Sequence, residues 1–416
     1  MKFTTLNLNE KLQNTLQQLK YNQATEIQQQ AIPLILANND VMARAKTGTG
    51  KTAAFALPIL NKLLQQDQEK RRLSVLVLAP TRELVQQIHA SFNNYGQSTS
   101  IKSVAVYGGV SIKPQIYTIK QGVNILIATP GRLLDLLIND YLTLNDLTTL
   151  VFDEADRMLD LGFKAEIDSI LNRVPNNRQT LLFSATFDDE IYRLSKNLLK
   201  NAKIIAIDDT NKPSENVEQV VYTVDEDRKR ELLSYLIGSK NWQQVLIFTR
   251  TKQAADNLAK EMCKDGIKTQ SLHGDKSQGA RDKALAEFKS GKIRALVATD
   301  VAARGIDIID LSHVINFELP FKAEDYVHRI GRTGRAGKKG FALSLMSLNE
   351  EWMLVEIEKV INERILQQWY PGYEPDLTKI HKAKKTENKK RSRERALSNS
   401  QDQQTKKYSA KRKKGY

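Results

Sequence analysis

The sequence predicts two tandem α/β domains, each built on a parallel sheet, followed by a basic C-terminal tail. Short apolar runs rich in Val, Ile and Leu alternate with helical patterns along most of the chain. Such near-continuous apolar strands separated by helices indicate parallel sheets covered on both faces. The alternation stops at residues 208–216, DDTNKPSEN, a polar stretch with one proline and no apolar side chain, and then restarts. Beyond it, residues 380–416 carry 14 Lys or Arg against 3 Asp or Glu.

In the first half the runs 73–78, 101–106, 124–128, 150–152 and 180–183 predict strands, with helices over 82–94 and 190–198 among them. In the second half strands are expected at 217–223, 244–248, 269–272, 293–298, 314–317 and 341–345. The halves share this architecture without an obvious sequence repeat. The chain therefore divides into a first domain over 1–207, a linker over 208–216, a second domain over 217–379 and a tail over 380–416.

Hydrophobic residues make up 41% of the 416, enough for conventional buried cores. The single cysteine, Cys263, rules out an intramolecular disulfide and suits a reducing compartment. The N-terminus, MKFTTLNLNEKLQ, lacks the apolar run of a signal peptide, and no stretch approaches the roughly 20 apolar residues of a membrane-spanning helix. A soluble, cytoplasmic protein is expected. Of the net charge of +15, the tail holds +11. With almost no large apolar side chains it cannot bury enough surface to fold alone. Such a tail serves either as a solvated solubility segment or as an electrostatic arm for nucleic-acid phosphates.

The most specific local signal is AKTGTGKT: Ala45, Lys46, Thr47, Gly48, Thr49, Gly50, Lys51 and Thr52. It follows the strand-like DVMAR and precedes the helical AAFALPILNKLL, the setting that a phosphate-binding loop requires. Glycines let backbone N–H groups converge on phosphate oxygens, and the helix N-terminus adds partial positive charge. Lys51 reaches the β- and γ-phosphates of a nucleoside triphosphate, and Thr52 holds Mg²⁺. The strict pattern would place Gly at position 45, where this chain has Ala. Phosphoryl transfer needs a second, carboxylate-bearing strand, and Leu150-Val151-Phe152 followed by Asp153-Glu154-Ala155-Asp156 supplies it. Asp153 is assigned to Mg²⁺, and Glu154 to orienting and deprotonating the attacking water.

Asp-Glu-Ala-Asp at 153–156, with AKTGTGKT before it and Ser184-Ala185-Thr186 after it, resembles the DEAD-box branch of the superfamily 2 RNA helicases. In that family the Ala-first phosphate loop is normal. The resemblance runs in order from Phe3 to about Leu345 and implies two tandem RecA-like domains, ATP with Mg²⁺, and RNA as partner. Residues 1–29 resemble the adenine-reading Q motif: Tyr21-Asn22-Gln23-Ala24-Thr25-Glu26-Ile27-Gln28, with Phe3 as the upstream aromatic. A glutamine amide offers one donor and one acceptor face, the complement of adenine N6 and N7, which makes Gln28 the choice for adenine selectivity. Lys20 and Ala24 stand where the family usually has Gly and Pro, differences that bear on stacking by Tyr21.

Pro80, Thr81 and Arg82, Gly108-Gly109, and Thr129, Pro130, Gly131 and Arg132 resemble the family's RNA-backbone contacts in the first domain. Each group follows a strand candidate, so all would project from one sheet edge and touch phosphates and sugars without reading bases. In the second domain the resemblance assigns Arg281 and Thr299 to the RNA face and Asp307 to the ATP ribose. Ser184, Ala185, Thr186 and His328 would couple the domains. His328-Arg329-Ile330-Gly331-Arg332-Thr333-Gly334-Arg335 matches the last motif, with Arg332 and Arg335 as arginine fingers for the γ-phosphate. Details such as RQTLLFSATF and the short basic extension are most similar to the bacterial RhlE subgroup, which implies partners in ribosome assembly or RNA degradation.

The expected activity is ATP-dependent remodelling of RNA duplexes by a two-domain clamp. The same residues would also serve an ATP-gated RNA scaffold or annealing chaperone. A DNA helicase or another phosphate-loop ATPase forms a third class, separated by preference for RNA over matched DNA.

Overall fold

The computed structural model describes residues 1–45, 48–65, 71–207, 216–303, 311–334 and 339–378. The first sheet contains β1 (Val41–Arg44), β2 (Val75–Leu78), β3 (Ser103–Val106), β4 (Ile125–Ala128), β5 (Thr149–Phe152), β6 (Gln179–Ser184) and β7 (Lys203–Ala206). Their spatial order is β3-β4-β2-β5-β6-β1-β7, with every pairing parallel. The second sheet contains β8 (Val217–Thr223), β9 (Val245–Thr249), β10 (Thr269–Leu272), β11 (Ala295–Thr299), β12 (His313–Asn316), β13 (Gly340–Met346) and β14 (Leu366–Gln368). It runs β10-β11-β9-β12-β13-β8-β14, again all parallel. Adding seven to each strand number converts one order into the other. The two halves are copies of one topology, the expected pair of parallel-sheet α/β domains.

Alternation along the strands explains how both faces are covered. In the first sheet Val41, Ala43, Val77, Ile127, Val151, Leu181 and Phe183 join one core with the helices Glu26–Leu36, Lys51–Leu64 and Arg82–Tyr95. Their neighbours Met42, Leu78, Ala128, Phe152 and Leu182 join another, beneath the helices Pro130–Ile138, Lys164–Leu171 and Asp189–Leu198. Period-two alternation between two apolar layers turns each strand into a continuous apolar run. Phe55 is fully buried, 5.3 Å from the Phe183 ring and 6.2 Å from Phe92, which pins the helix after the phosphate loop to the sheet. Burial of one such ring is worth about 1.5–3 kcal/mol. The second sheet is sandwiched likewise, with Ile247 and Val297 on one side and Phe248 and Ala298 on the other.

Most expected strands and helices are present with ends moved by one or two residues. β7 and β14 have no counterpart among the expected strands. Both lie at sheet edges; all three residues of β14 are exposed, whereas β7 carries the apolar run Ile204-Ile205-Ala206, a signal that the expected strands left out. No helix among the described residues is long and apolar enough to cross a membrane. Residues 208–215 of the expected linker and 380–416 of the tail lie outside the described residues.

Because every pairing is parallel, all strands of a sheet end on the same edge, where open α/β sheets collect ligands. Strand order then sorts the loops. Those after β1, β5 and β6 carry the phosphate loop, Asp153-Glu154 and Ser184-Ala185-Thr186, and these three strands are neighbours. Those after β2, β3 and β4 carry Pro80–Arg82, Gly108-Gly109 and Thr129–Arg132, and they form the other half of the edge.

Candidate nucleotide and nucleic-acid site

The phosphate loop leaves β1 at Ala45, whose N–H donates to the Ser184 carbonyl at 3.1 Å. It re-enters helix at Lys51 through Gly50, the N-cap, with φ of +92°. Gly48 has φ of +88°. Both are left-handed conformations that favour glycine. A side chain on Gly50 would also collide with the Gln28 amide. Gln28 is buried: its Oε1 accepts from Thr25 N–H at 2.9 Å and its Nε2 donates to the Gly50 carbonyl at 3.1 Å. The Q-motif glutamine is thus mechanically joined to the phosphate loop. Its Oε1 bond also belongs to a capping box at the helix Glu26–Leu36, and the Thr25…Gln28 spacing is a readable signal for it. Phe3 is buried, while Tyr21 is partly exposed and packs between Phe3 and Tyr95, with ring centroids 6.0 and 5.9 Å away.

Lys51 and Asp153 are both buried, and Lys51 Nζ and Asp153 Oδ1 have no hydrogen-bond partner among the described residues. Buried polar atoms are nearly always paired, so an unpartnered ammonium and an unpartnered carboxylate oxygen fit a ligand with anionic oxygens and a cation. Burial pushes the Asp153 carboxyl up to about 6, against the opposing pull of the Lys51 charge. Perturbed groups of this kind cluster at functional sites. Thr52 stands beside Lys51 at the same helix start, half-buried. Glu154 follows with φ of +54°, a left-handed conformation uncommon outside glycine, and caps the helix Ala155–Asp160. Residues held in such sparsely populated conformations cluster at functional sites.

Asp156 points back across the sheet edge. Its Oδ2 accepts from Ala185 N–H at 3.1 Å and Thr186 N–H at 3.2 Å. This ties Asp153–Asp156 to the Ser184–Thr186 turn, and burial raises the Asp156 pKa. Beside it a cavity of about 560 Å³ opens between the domains, lined by Arg44, Asp156, Thr186, Phe187, Asp188 and His328 among others. Asp156 and Thr186 on one domain therefore share a cavity wall with His328 on the other. In the second domain Arg332 is buried at the end of the helix Ala323–Ile330. Lys46, Thr47, Asp307 and Arg335 lie outside the described residues.

On the other half of the edge, several expected RNA contacts serve as structural ties. The Thr81 hydroxyl caps the helix Arg82–Tyr95, accepting from Leu84 N–H at 3.3 Å. Gly109, with φ of +78°, leaves room for the Arg82 guanidinium where any Cβ would collide with it. Arg132 donates to the Val110 carbonyl at 3.0 Å, holding the Gly108-Gly109 turn. Pro130 is the first residue of its helix, with Thr129 as N-cap and half-buried Gly131 after it. Pro80 and Thr299 are buried at strand ends.

Three interdomain partners were not legible beforehand. Arg281 Nη2 lies 2.6 Å from Glu83 Oε1 across the cleft, an ion pair rather than an aligned hydrogen bond, and Arg82 Nη1 donates to Gln278 at 3.3 Å. Arg157 Nη1 lies 2.9 Å from Asp325 Oδ1. A fourth group, Arg329, sits inside the motif 328–335. It pairs with both Asp300 oxygens at 2.6 and 2.7 Å and donates to the Glu318 carbonyl at 2.6 Å, so it braces the second domain.

Two family models match the chain in tandem: DEAD/DEAH box helicase over residues 25–194 and helicase conserved C-terminal domain over residues 228–337. The DEAD-box ATP-dependent RNA helicase CshA of Bacillus subtilis is 41% identical over 363 residues, which cover 87% of this chain and 73% of that protein. The chain belongs to the DEAD-box helicase family. Another similar member is the DEAD-box ATP-dependent RNA helicase RhpA of Helicobacter pylori, 41% identical over 87% of this chain and 73% of that one. Among solved structures, S. cerevisiae Dbp5 bound to RNA and ADP BeF3 is 30% identical, with a TM-score of 0.80 over 92% of this DEAD-box chain and 99% of that one. With 92% of the chain covered, that likeness extends over both domains.

Proposed function

We propose that this DEAD-box protein works as an ATP-driven clamp on RNA, with residues 1–207 and 217–379 as its two jaws. It is an ATP-dependent RNA helicase that hydrolyses ATP. The observation that carries the clamp reading is the division of labour across one cleft. Lys51, Asp153 and Glu154 lie on the first domain, and Arg332 lies on the second.

In this reading backbone amides from Ala45 to Thr52 and the Lys51 ammonium hold the β- and γ-phosphates of ATP. Thr52 and Asp153 would hold Mg²⁺, which would supply positive charge against the phosphates. Glu154 orients a water molecule and takes its proton as the water oxygen bonds to the γ-phosphorus. The bond to the β-phosphate oxygen breaks, leaving ADP and phosphate. Arg332 and Arg335 meet the charge that develops on the transferring group. Gln28, together with Phe3 and Tyr21, selects adenine and reports its presence to Gly50, and Asp307 holds the ribose.

RNA lies along Pro80–Arg82, Gly109, Thr129–Arg132, Arg281 and Thr299, through phosphate and sugar contacts that carry little sequence preference. Closing the jaws bends one strand and excludes its complement; Ser184–Thr186 and His328 pass the state of the nucleotide between domains. Target choice would then come from the tail or from partners in ribosome assembly or RNA degradation in the cytoplasm, as for a RhlE-like protein. The deciding experiment measures ATP hydrolysis with and without RNA, against DNA of identical sequence, together with strand displacement. RNA-specific stimulation with displacement is expected. Stimulation without displacement would favour an annealing scaffold, and equal stimulation by DNA would defeat the RNA assignment.

A further inference from the structure

Two short helical turns with the same charge order face each other across the interdomain cleft, running in opposite directions. In the first domain the helix Ala155–Asp160, which begins directly after Glu154, presents Arg157 and then Asp160. In the second, Lys322 caps the helix Ala323–Ile330 and Asp325 follows three residues later. Each side therefore offers one cation followed at i+3 by one anion, a spacing that puts both on one helical face. The two turns meet antiparallel, so each cation finds the other domain's anion. Arg157 Nη1 lies 2.9 Å from Asp325 Oδ1, and Lys322 Nζ lies 2.6 Å from Asp160 Oδ1. Arg157 Nη1 also lies 3.4 Å from Asp160 Oδ2, which joins the two pairs into one array.

The array is graded. The inner pair is nearly dry, with side-chain exposures of 6% for Arg157 and 12% for Asp325, whereas the outer pair is wetter at 32% for Asp160 and 62% for Lys322. The Asp160 hydrogen bond raises the Lys322 pKa, and Asp325 with Asp156 raises that of Arg157 despite its burial. The second-domain half is braced from behind: Arg250 donates to the Leu319 carbonyl at 2.7 Å, and its guanidinium lies 4.9 Å from the Phe321 ring centre. Lys322 is thereby presented on a fixed loop.

We infer that Arg157, Asp160, Lys322 and Asp325 form a positioning clasp that admits one docking register of the two domains. A parallel approach, or a slip by one turn, would set like charges together, which is how charged interfaces reject wrong geometries. The clasp borders the reacting groups on both sides. Arg157 is three residues from Glu154, Asp325 is three residues from His328, and Arg332 follows two residues after the end of that second helix. Registering these two turns aligns the carboxylates of one domain with the arginines of the other. When the domains part, all four charges return to water, so the clasp acts on closure and not on the stability of either domain.

This inference rests on the two-domain clamp and is tested in the full-length chain by reversing the outer pair. D160K sets a lysine against Lys322 and Arg157; K322D sets an aspartate against Asp160 and Asp325. Exposed ion pairs contribute about 0.2–1 kcal/mol, so each single reversal should raise the RNA concentration for half-maximal ATPase by about 2–5-fold. An interdomain dye pair should report a matching loss of closed molecules with RNA and a non-hydrolysable ATP analogue. The thermal melt should be unchanged, and the defect should grow as salt falls. The doubly reversed D160K/K322D chain should return to within about twofold of the unaltered one, a rescue that no merely structural role predicts. Single variants indistinguishable from the unaltered chain, or a double variant as impaired as both singles combined, would overturn the clasp. The unaltered chain in the same dye assay tests the clamp separately: if it closes while the reversals have no effect, only the clasp falls.

Discussion

Arg281 and Glu83 meet across the cleft at 2.6 Å with both side chains more than nine-tenths excluded from water. An arginine expected to touch RNA phosphate is, in this arrangement, engaged by a carboxylate of the opposite domain. The two roles separate experimentally. Breaking a buried pair by removing one partner costs about 3–5 kcal/mol, and here the cost falls on the closed state alone. Arg281→Gln should therefore raise the RNA concentration for half-maximal ATPase by at least about tenfold, with Glu83→Gln/Arg281→Gln recovering much of the loss. If Arg281 instead serves a phosphate, the double variant will stay impaired and the slope of log affinity against log salt will fall by about one.

Glu154→Gln keeps the shape and hydrogen-bonding capacity of the side chain but removes its basicity. Turnover should drop by at least about 100-fold, within the usual range for a lost general base, while ATP and RNA binding persist. Binding titrations alongside single-turnover hydrolysis check this, and near-normal turnover would remove Glu154 from its role.

Asp153 yields a prediction linking pH to stability. Its folded pKa, raised by burial to about 6 from 3.8, means that the native state holds this proton over a pH range where the unfolded chain has released it. The carboxylate's cost is absent below the unfolded value, grows between the two, and is fully present above about 6. Asp153→Asn should therefore stabilise the nucleotide-free protein at pH 7.5 by about 1–3 kcal/mol, and the gain should vanish toward pH 4. Thermal melts across that range test it; a destabilised variant at pH 7.5 contradicts the expectation. Turnover should be lost in the same variant, stability gained at the expense of a functional carboxylate.

Removing residues 380–416 takes away a net charge of +11. RNA affinity should weaken and its salt dependence flatten, because fewer counterions are released on binding. The maximal ATPase rate at saturating RNA should change little, since every catalytic candidate precedes the tail. An unchanged salt slope would return the tail to a solubility role.

Much of this molecule can be read from its chain because the relevant physics is local. A strand covered on both faces must be a continuous apolar run, so Val75–Leu78, Ile125–Ala128 and Thr149–Phe152 announce themselves. The edge strand Leu366–Gln368 does not, because all three of its residues face water. The phosphate loop is legible for a similar reason: backbone amides can converge on phosphate only where glycines such as Gly48 and Gly50 adopt positive φ next to a helix start.

The sequence by itself therefore determined the element types and, as expectations, the two-domain division and the residues suited to hold ATP. Tertiary structure alone decided which of them meet. Neighbourhood in a parallel sheet depends on crossover connections rather than on local propensity. The order β5-β6-β1 set Asp156 against Ala185 and Thr186, and put Asp153 on the same edge as the phosphate loop. Arg157 and Asp325 stand 168 residues apart, each an ordinary charged residue on its own helix. A pair of that kind gains its energy only when two folded domains exclude water from between them, and no run of residues encodes that event.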